Sequence, residues 1–377
     1  MALTVISSVT ILFTIFYVAA VFYFRYGWLR IKTPPVVLKS PSTMVSILIA
    51  ARNEEDKIAF TIEDILRQDY PRNLVELIVI DDHSTDRTAE IIVGFAGKGV
   101  KLIRLHEDKP LNSYKKKAIS EAIQIAAGEL IVTTDADCRM NTAWLSTIVA
   151  YYETNNLKLI SSPVVFYEEK SFFERLQTLE FLYLIGLGAA TIGNKRPSTC
   201  NGANLAYRKD VFHELKGFQG IDDLASGDDE LFLHKVASKY PDDIGFCKSN
   251  DALVFTHAKP SLKEFISQRK RWASKSTRYK NKGIVALGVS MWLFNALIIL
   301  NIALGFFYLQ SCRVVILVLV MKAIAESAFL LPVTTFAKRR ELLLFLPILT
   351  CIHTVYILYI GIAGNSGKYV WKGRLVK

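Results

Sequence analysis

Residues 130–140 read LIVTTDADCRM, an apolar run that stops on two aspartates separated by one alanine. Ile131, Val132 and Thr133 favour extended chain, so the run predicts a strand that ends at Asp135, with Asp137 two residues on. In extended chain a spacing of two puts both side chains on one face, about 6–7 Å apart. Two like charges at that separation call for a positive partner between them.

The same pattern recurs upstream. VSILIA (45–50), ELIVID (76–81), KLIRL (101–105) and ELIVTT (129–134) are short apolar runs. Between them EEDKIAFTIEDILRQ, TDRTAEIIVGFA and YKKKAISEAIQIAA carry apolar residues at helical spacing. Four strand–helix alternations predict a mostly parallel sheet with helices on both faces. Ligands of such sheets lie beyond the carboxyl ends of the strands. Three of the runs end there in polar clusters, ARNEE (51–55), DDHSTD (81–86) and DADC (135–138). One acidic strand end is an ordinary cap for the next helix, a role that suits Asp86 or Ser84. Three together mark a binding site. Neither G-x-G-x-x-G nor G-x-x-x-x-G-K-[ST] occurs, so the site is not a dinucleotide fold or a P-loop. Spaced carboxylates without a His/Cys cluster suit a hard cation, Mg²⁺ or Mn²⁺, shared with the phosphates of a nucleotide.

The 377 residues are 51% hydrophobic with a mean hydropathy of +0.27 and a net charge of +11. LTVISSVTILFTIFYVAAVFYF (3–24) is uncharged, long enough for a bilayer core of roughly 30 Å. Its cations, Arg25, Arg30 and Lys32, follow the apolar run, which predicts a signal anchor with an outside N-terminus rather than a cleaved signal peptide. Three more apolar stretches cover 283–309, 313–336 and 342–363. The region between is flanked by RYGWLRIK and QRKRWASKSTRYKNK, and the positive-inside rule places it in the cytoplasm, on an integral protein of a bacterial-type plasma membrane. Anionic lipid head groups account for the excess charge without nucleic acid. Five cysteines, an odd number with no C-x-x-C spacing, argue against a disulfide framework and a zinc site. The expected layout is an anchor (1–25), a basic linker (26–42), a globular domain (43–282), a membrane region (283–365) and a basic tail (366–377). Three spans after a cytoplasmic domain would leave GKYVWKGRLVK outside. Lys322 and Glu326, one helical turn apart with Pro332 beyond, suggest that the middle stretch is re-entrant or interfacial.

Seven stretches occur in a fixed order: ILIAARNEE, VIDDHSTD, Lys115 before an Ala-containing helix, TTDADC, CNGANLAYRK (200–209), SGDDEL (226–231) and QRKRW (268–272). The chain thereby resembles the membrane-bound family 2 inverting glycosyltransferases, which have the GT-A fold. The resemblance covers roughly residues 43–275. It implies that Asn53, Glu54 and Asp82 hold the nucleoside of a nucleotide sugar, usually UDP, and that Lys115 belongs to the same donor site. It implies further that Asp135 meets the nucleotide or sugar and Asp137 ligates the metal. Asp228 stands where the family carries its general base, although Gly227 replaces a common Glu and leaves Asp229 as the rival. Gln268, Arg271 and Trp272 would lie over the diphosphate, with Trp272 also at the acceptor entrance.

The bland readings stand beside these. SGDDELFLHKVASKY reads as a helix start with Ser226 as cap, and its acids complement the helix dipole. Functionally, one carboxylate there would take the acceptor's hydroxyl proton as the oxygen attacks the anomeric carbon. SLKEFISQRKRWASKSTRYK is amphipathic and suits a membrane interface. Residues 171–195 are a buried helix or one lying in the membrane that admits a lipid acceptor. Asn201 and Gly202, with Asn204, are candidates for the acceptor side, and His257 for a third metal ligand. The short membrane part favours one sugar added to a lipid or glycolipid. A processive polysaccharide synthase and an inert scaffold or sugar-nucleotide sensor are the alternatives.

Overall fold

The computed structural model describes residues 1–33, 41–107, 111–364, 369–371 and 374–376. Helix α1 (Ala2–Arg30) leads into an alternating series: β1 (Val45–Ala51), α2 (Ile58–Leu66), β2 (Val75–Asp81), α3 (Thr88–Val93), β3 (Val100–Arg104), α4 (Tyr114–Ile125) and β4 (Leu130–Asp135). There follow β5 (Arg139–Met140), α5 (Trp144–Asn155), β6 (Leu159–Ser161), β7 (Val164–Phe166), α6 (Phe172–Gly193), β8 (Leu205–Arg208), α7 (Lys209–Glu214), α8 (Glu230–Lys239), β9 (Ile244–Phe246) and β10 (Val254–Thr256). Four helices, α9 (Leu262–Ser274), α10 (Lys282–Gly305), α11 (Leu309–Phe336) and α12 (Leu346–Ala363), precede a hairpin of β11 (Tyr369–Trp371) and β12 (Arg374–Val376).

The chain divides into two compact units. One comprises residues 30–168, 191–258 and 368–377. Its main sheet has the order β3-β2-β1-β4-β8-β6-β9. The first four strands are parallel, as the alternation predicts, and β8 runs antiparallel to β4 and β6. Val45, Ile47, Leu48 and Ile49 of β1 are completely buried. Helices on both faces explain why these strands read as continuous apolar runs instead of alternating ones. Register pairs Ala51 with Asp81 and Ala50 with Asp135, so the acidic strand ends meet at one edge. A smaller sheet, β5-β10-β7, adjoins in the same unit.

The other unit comprises residues 1–29, 169–190 and 259–367. Among the described residues five helical segments, Ala2–Arg30, Phe172–Gly193, Lys282–Gly305, Leu309–Phe336 and Arg340–Ala363, are long and apolar enough to cross a membrane. The second of these, α6, is the most enclosed, 78% buried over its apolar window against 39% or less for the others. That burial favours the reading of 171–195 as a packed helix. Helix α11 continues unbroken through Lys322, Glu326 and Pro332, so the Lys–Glu pair lies within a regular helix rather than at a break. Lys322 Nζ donates to Glu326 Oε1 at 2.7 Å, joined by the Tyr17 hydroxyl at 2.6 Å, while Thr350 donates to Oε2 at 2.8 Å. A second buried pair joins Arg269 of α9 to Glu180 of α6, with the Arg269 guanidinium also 4.3 Å from the Trp272 ring centroid. Replacing Arg269 by Met should cost about 3–5 kcal/mol, because it strands the Glu180 carboxylate in an enclosed site. Thermal unfolding in detergent reads this, and an unchanged midpoint would show that the pair contributes nothing net.

Candidate active site

At the edge where β1, β2 and β4 end, the loops bind one another before they bind anything else. Asn53 adopts a left-handed conformation, φ 51°. Its side-chain oxygen accepts the Thr85 N–H at 2.8 Å, and its own N–H donates to Ser84 Oγ at 3.0 Å. The Glu54 N–H donates to Thr88 Oγ1 at 2.8 Å, and Arg52 donates to the carbonyls of Asp82 and His83 at 2.8 and 2.9 Å. Asn53 and Glu54 thus tie the loop after β1 to the loop after β2. Asp86, one of the two expected caps, accepts the Thr88 N–H at 3.0 Å at the start of α3.

The centre of the site is Lys115, in the first turn of α4. Its Nζ lies 2.8 Å from Asp135 Oδ1 and 3.2 Å from Asp228 Oδ2. Burial disfavours the ammonium, yet the carboxylates of Asp135 and Asp228 outweigh that and raise its pKa above the usual lysine value. A positive group does stand beside Asp135, and in this structure it is a lysine. Asp137 has a looser partner, Lys57 at 3.8 Å. The Asp135 and Asp137 side chains remain 41% and 26% exposed, open to an incoming ligand.

Asp228 and Asp229 part company at the start of α8. Asp229, not Ser226, is the cap: it accepts the Glu230 N–H at 2.6 Å and the Gly202 N–H at 3.0 Å. Asp228 points to Lys115. Gly227 has φ 85°, a conformation that side chains rarely adopt, which accounts for glycine at that position. Gly202 packs against both acids, for a Cβ there would meet Asp228 Oδ2 and Asp229 Cβ at 3.3 Å. Asn201 spends its side-chain oxygen on the Ala203 N–H at 2.9 Å. Asn204 does not reach the site. It is completely buried, accepting from Trp144 Nε1 at 3.0 Å and donating to the carbonyls of Pro163 and Ala252 at 2.8 Å.

Sequence reasoning missed two residues. Arg374, read only as part of a basic tail, lies with its Nη1 at 2.7 and 3.0 Å from the two oxygens of Asp82 and its guanidinium 3.6 Å from the Tyr114 ring centroid. Asp82 is 2% exposed under this cover. Nothing in the tail's composition distinguishes Arg374 from its neighbouring cations. The second is Lys116, completely enclosed beside Lys115, whose only signal was its place in YKKKA.

His257 stacks on Tyr167 with ring centroids 4.6 Å apart. Among the described residues no three His, Cys, Asp or Glu side chains gather as a metal site, so His257 does not complete one with Asp135 and Asp137. A pair of open carboxylates still fits Mg²⁺ or Mn²⁺, which keep water and substrate phosphates as most of their ligands. Gln268, Arg271 and Trp272 lie on α9, in the unit of apolar helices, with Gln268 accepting from Arg269 at 2.6 Å.

Residues 46–216 match the family described as glycosyl transferase family 2. The chain is 33% identical over 109 residues to a beta-monoglucosyldiacylglycerol synthase of Nostoc sp., covering 29% of this chain and 23% of that protein. It is 35% identical over 132 residues to WfaP of Escherichia coli, a UDP-Glc:alpha-D-GlcNAc-diphosphoundecaprenol beta-1,3-glucosyltransferase, covering 34% of this chain and 48% of that protein. These matches span less than half of either relative. Among solved structures it is similar to the mannosyltransferase PcManGT of Pyrobaculum calidifontis, determined with GDP-Man and Mn²⁺. The TM-score is 0.59 at 19% identity, over 93% of this chain and 99% of that one.

Proposed function

We propose, from the premise that residues 46–216 are a family 2 glycosyl transferase domain with the GT-A fold, that the chain transfers one sugar from a nucleotide sugar to a membrane lipid or glycolipid with inversion. The observation that carries this reading is Lys115, which ties Asp135 to Asp228 within 3.2 Å and so brings the D-x-D and SGDD stretches to one point.

Asp228 is the general base. It takes the acceptor's hydroxyl proton while that oxygen bonds to the anomeric carbon and the carbon–oxygen bond to the diphosphate breaks on the opposite face. Asp229 is engaged with the Glu230 and Gly202 N–H groups, which supports Asp228 in that role. Lys115 holds Asp135 and Asp228 at fixed separation and offers positive charge to the donor. Asp137, with Asp135, would hold Mg²⁺ or Mn²⁺, which supplies charge to stabilise the departing diphosphate. By the family resemblance Gln268, Arg271 and Trp272 are assigned to the donor, and Asn201 and Gly202 to the acceptor. The similarity to two glycosyltransferases whose names specify lipid acceptors supports a lipid here, as do the apolar helices. Release of UDP or GDP from a panel of nucleotide sugars, with Mn²⁺ and native lipid extract, tests the reading. Turnover of one donor supports it, and a product ladder of many sugars would favour the processive alternative.

Arg374 occupies the carboxylate proposed to hold the nucleoside. Arg374→Ala should therefore tighten UDP binding by about tenfold, within the worth of one charge-assisted hydrogen bond. Titration calorimetry measures it, and weaker binding would instead make Arg374 part of the donor site.

A further inference from the structure

Lys116 is 1% exposed, and its Nζ donates to three backbone carbonyls, Ile221 at 2.7 Å, Leu224 at 2.6 Å and Ser226 at 2.7 Å. An ammonium has three N–H donors, and all three go to one loop. That loop ends at Gly227, with φ 85°, and the next residue is Asp228. The neighbouring Lys115 binds the Asp228 carboxylate itself. Successive residues on a helix point about 100° apart. One lysine therefore meets the side chain of Asp228 and the next fastens the backbone that delivers it.

We propose that Lys116 is a positioning residue for the transfer reaction, clamping the 221–226 loop so that Asp228 is held against the acceptor hydroxyl. The inference rests on the reading of Asp228 as general base.

A hydrophobic side chain would fill an enclosed site more cheaply than a charge does. Burial pushes the Lys116 ammonium down to about 8, against the opposite pull of Asp228, Asp229, Asp223 and Asp222. Lys115 on the same helix, with Lys117 and Lys216 around the adjoining cleft, adds positive charge nearby, and His213 also faces that cleft. An unfolded lysine titrates at about 10.4. Below pH 8 the group is charged in both states. Between about 8 and 10.4 the folded chain has released a proton that the unfolded chain keeps, so this group's contribution to stability rises with pH. The clamp behaves oppositely. A neutral amine has two donors, so one carbonyl loses its bond and the loop loosens. Turnover and stability thus move in opposite directions above pH 8.

The test is a double-substitution cycle on the full-length protein in detergent, using the donor selected by the nucleotide-sugar panel with native lipid extract. UDP binding in Mn²⁺ reports folding. Lys116→Met should bind UDP as the unsubstituted chain does, with KM for the donor within about twofold, while kcat falls by about a hundredfold. Added to Asp228→Asn it should cause little further loss, because the two residues act through one group. Full kcat in K116M beside an inactive D228N overturns the clamp and leaves the proposed function standing. An active D228N overturns the base assignment itself. Additive losses place the action of Lys116 elsewhere and also overturn the clamp. Should K116M fail to bind UDP, the unsubstituted chain decides. A fall in kcat centred near pH 8, with a stable fold through that range, supports the clamp, and a flat profile to pH 9.5 overturns it.

Discussion

Asp228→Asn should lower kcat by about a hundred- to ten-thousandfold, the usual contribution of a positioned general base. The amide keeps the shape of the carboxylate and removes its capacity to accept the acceptor's proton. UDP affinity should stay within a few-fold, since Asp82 and Asp137 are untouched. Asp229→Asn is the instructive companion. The two Asp229 carboxylate oxygens accept the Glu230 and Gly202 N–H groups separately, at 2.6 and 3.0 Å, and an amide keeps an oxygen for only one of them. Its effect should fall on stability, about 1–3 kcal/mol, the cost of leaving one buried N–H without an acceptor. Single-turnover kinetics and calorimetry on both variants would separate the two aspartates, and equal losses in kcat would contradict the assignment of roles.

The second large effect concerns the divalent cation. Asp137→Ala, or removal of divalent ions by a chelator, should cut turnover by about a thousandfold, equivalent to about 4 kcal/mol of lost stabilisation on the leaving diphosphate. Lys115 should replace little of the cation's charge, because it is also shared between Asp135 and Asp228 at 2.8 and 3.2 Å. The loss on chelation should be recovered by adding Mn²⁺ to the unsubstituted chain but not to the variant. Full activity in the chelator would show that Lys115 and other cations suffice for the leaving group.

The sheet was legible in the sequence because its strands are buried on both faces. β1, β2 and β4 therefore announce themselves as unbroken apolar runs, with acids where the runs stop. Their order and the antiparallel β8 were not legible, since pairing between distant strands leaves no local pattern. The D-x-D and SGDD stretches were readable as motifs, but not the fact that one lysine joins them, which depends on how α4 packs. The cap of α8 went to Asp229 instead of Ser226 because Gly227 turns the chain between them. Asn204 looked like a ligand-binding amide, and the fold consumes it inside, on Trp144, Pro163 and Ala252. Lys116 and Arg374 were invisible for the same reason: a cation's partner is set by tertiary structure.

Passage of labelled sugar into the organic phase measures transfer to lipid itself. Purified protein, Mn²⁺ and native lipid extract would be incubated with each labelled nucleotide sugar, D228N serving as control. Label from one donor should enter the lipid phase as a single-sugar product of inverted anomeric configuration, with D228N yielding about a hundredth of it or less. Label that stays in the aqueous phase with every donor, from protein that binds UDP, would contradict transfer to lipid.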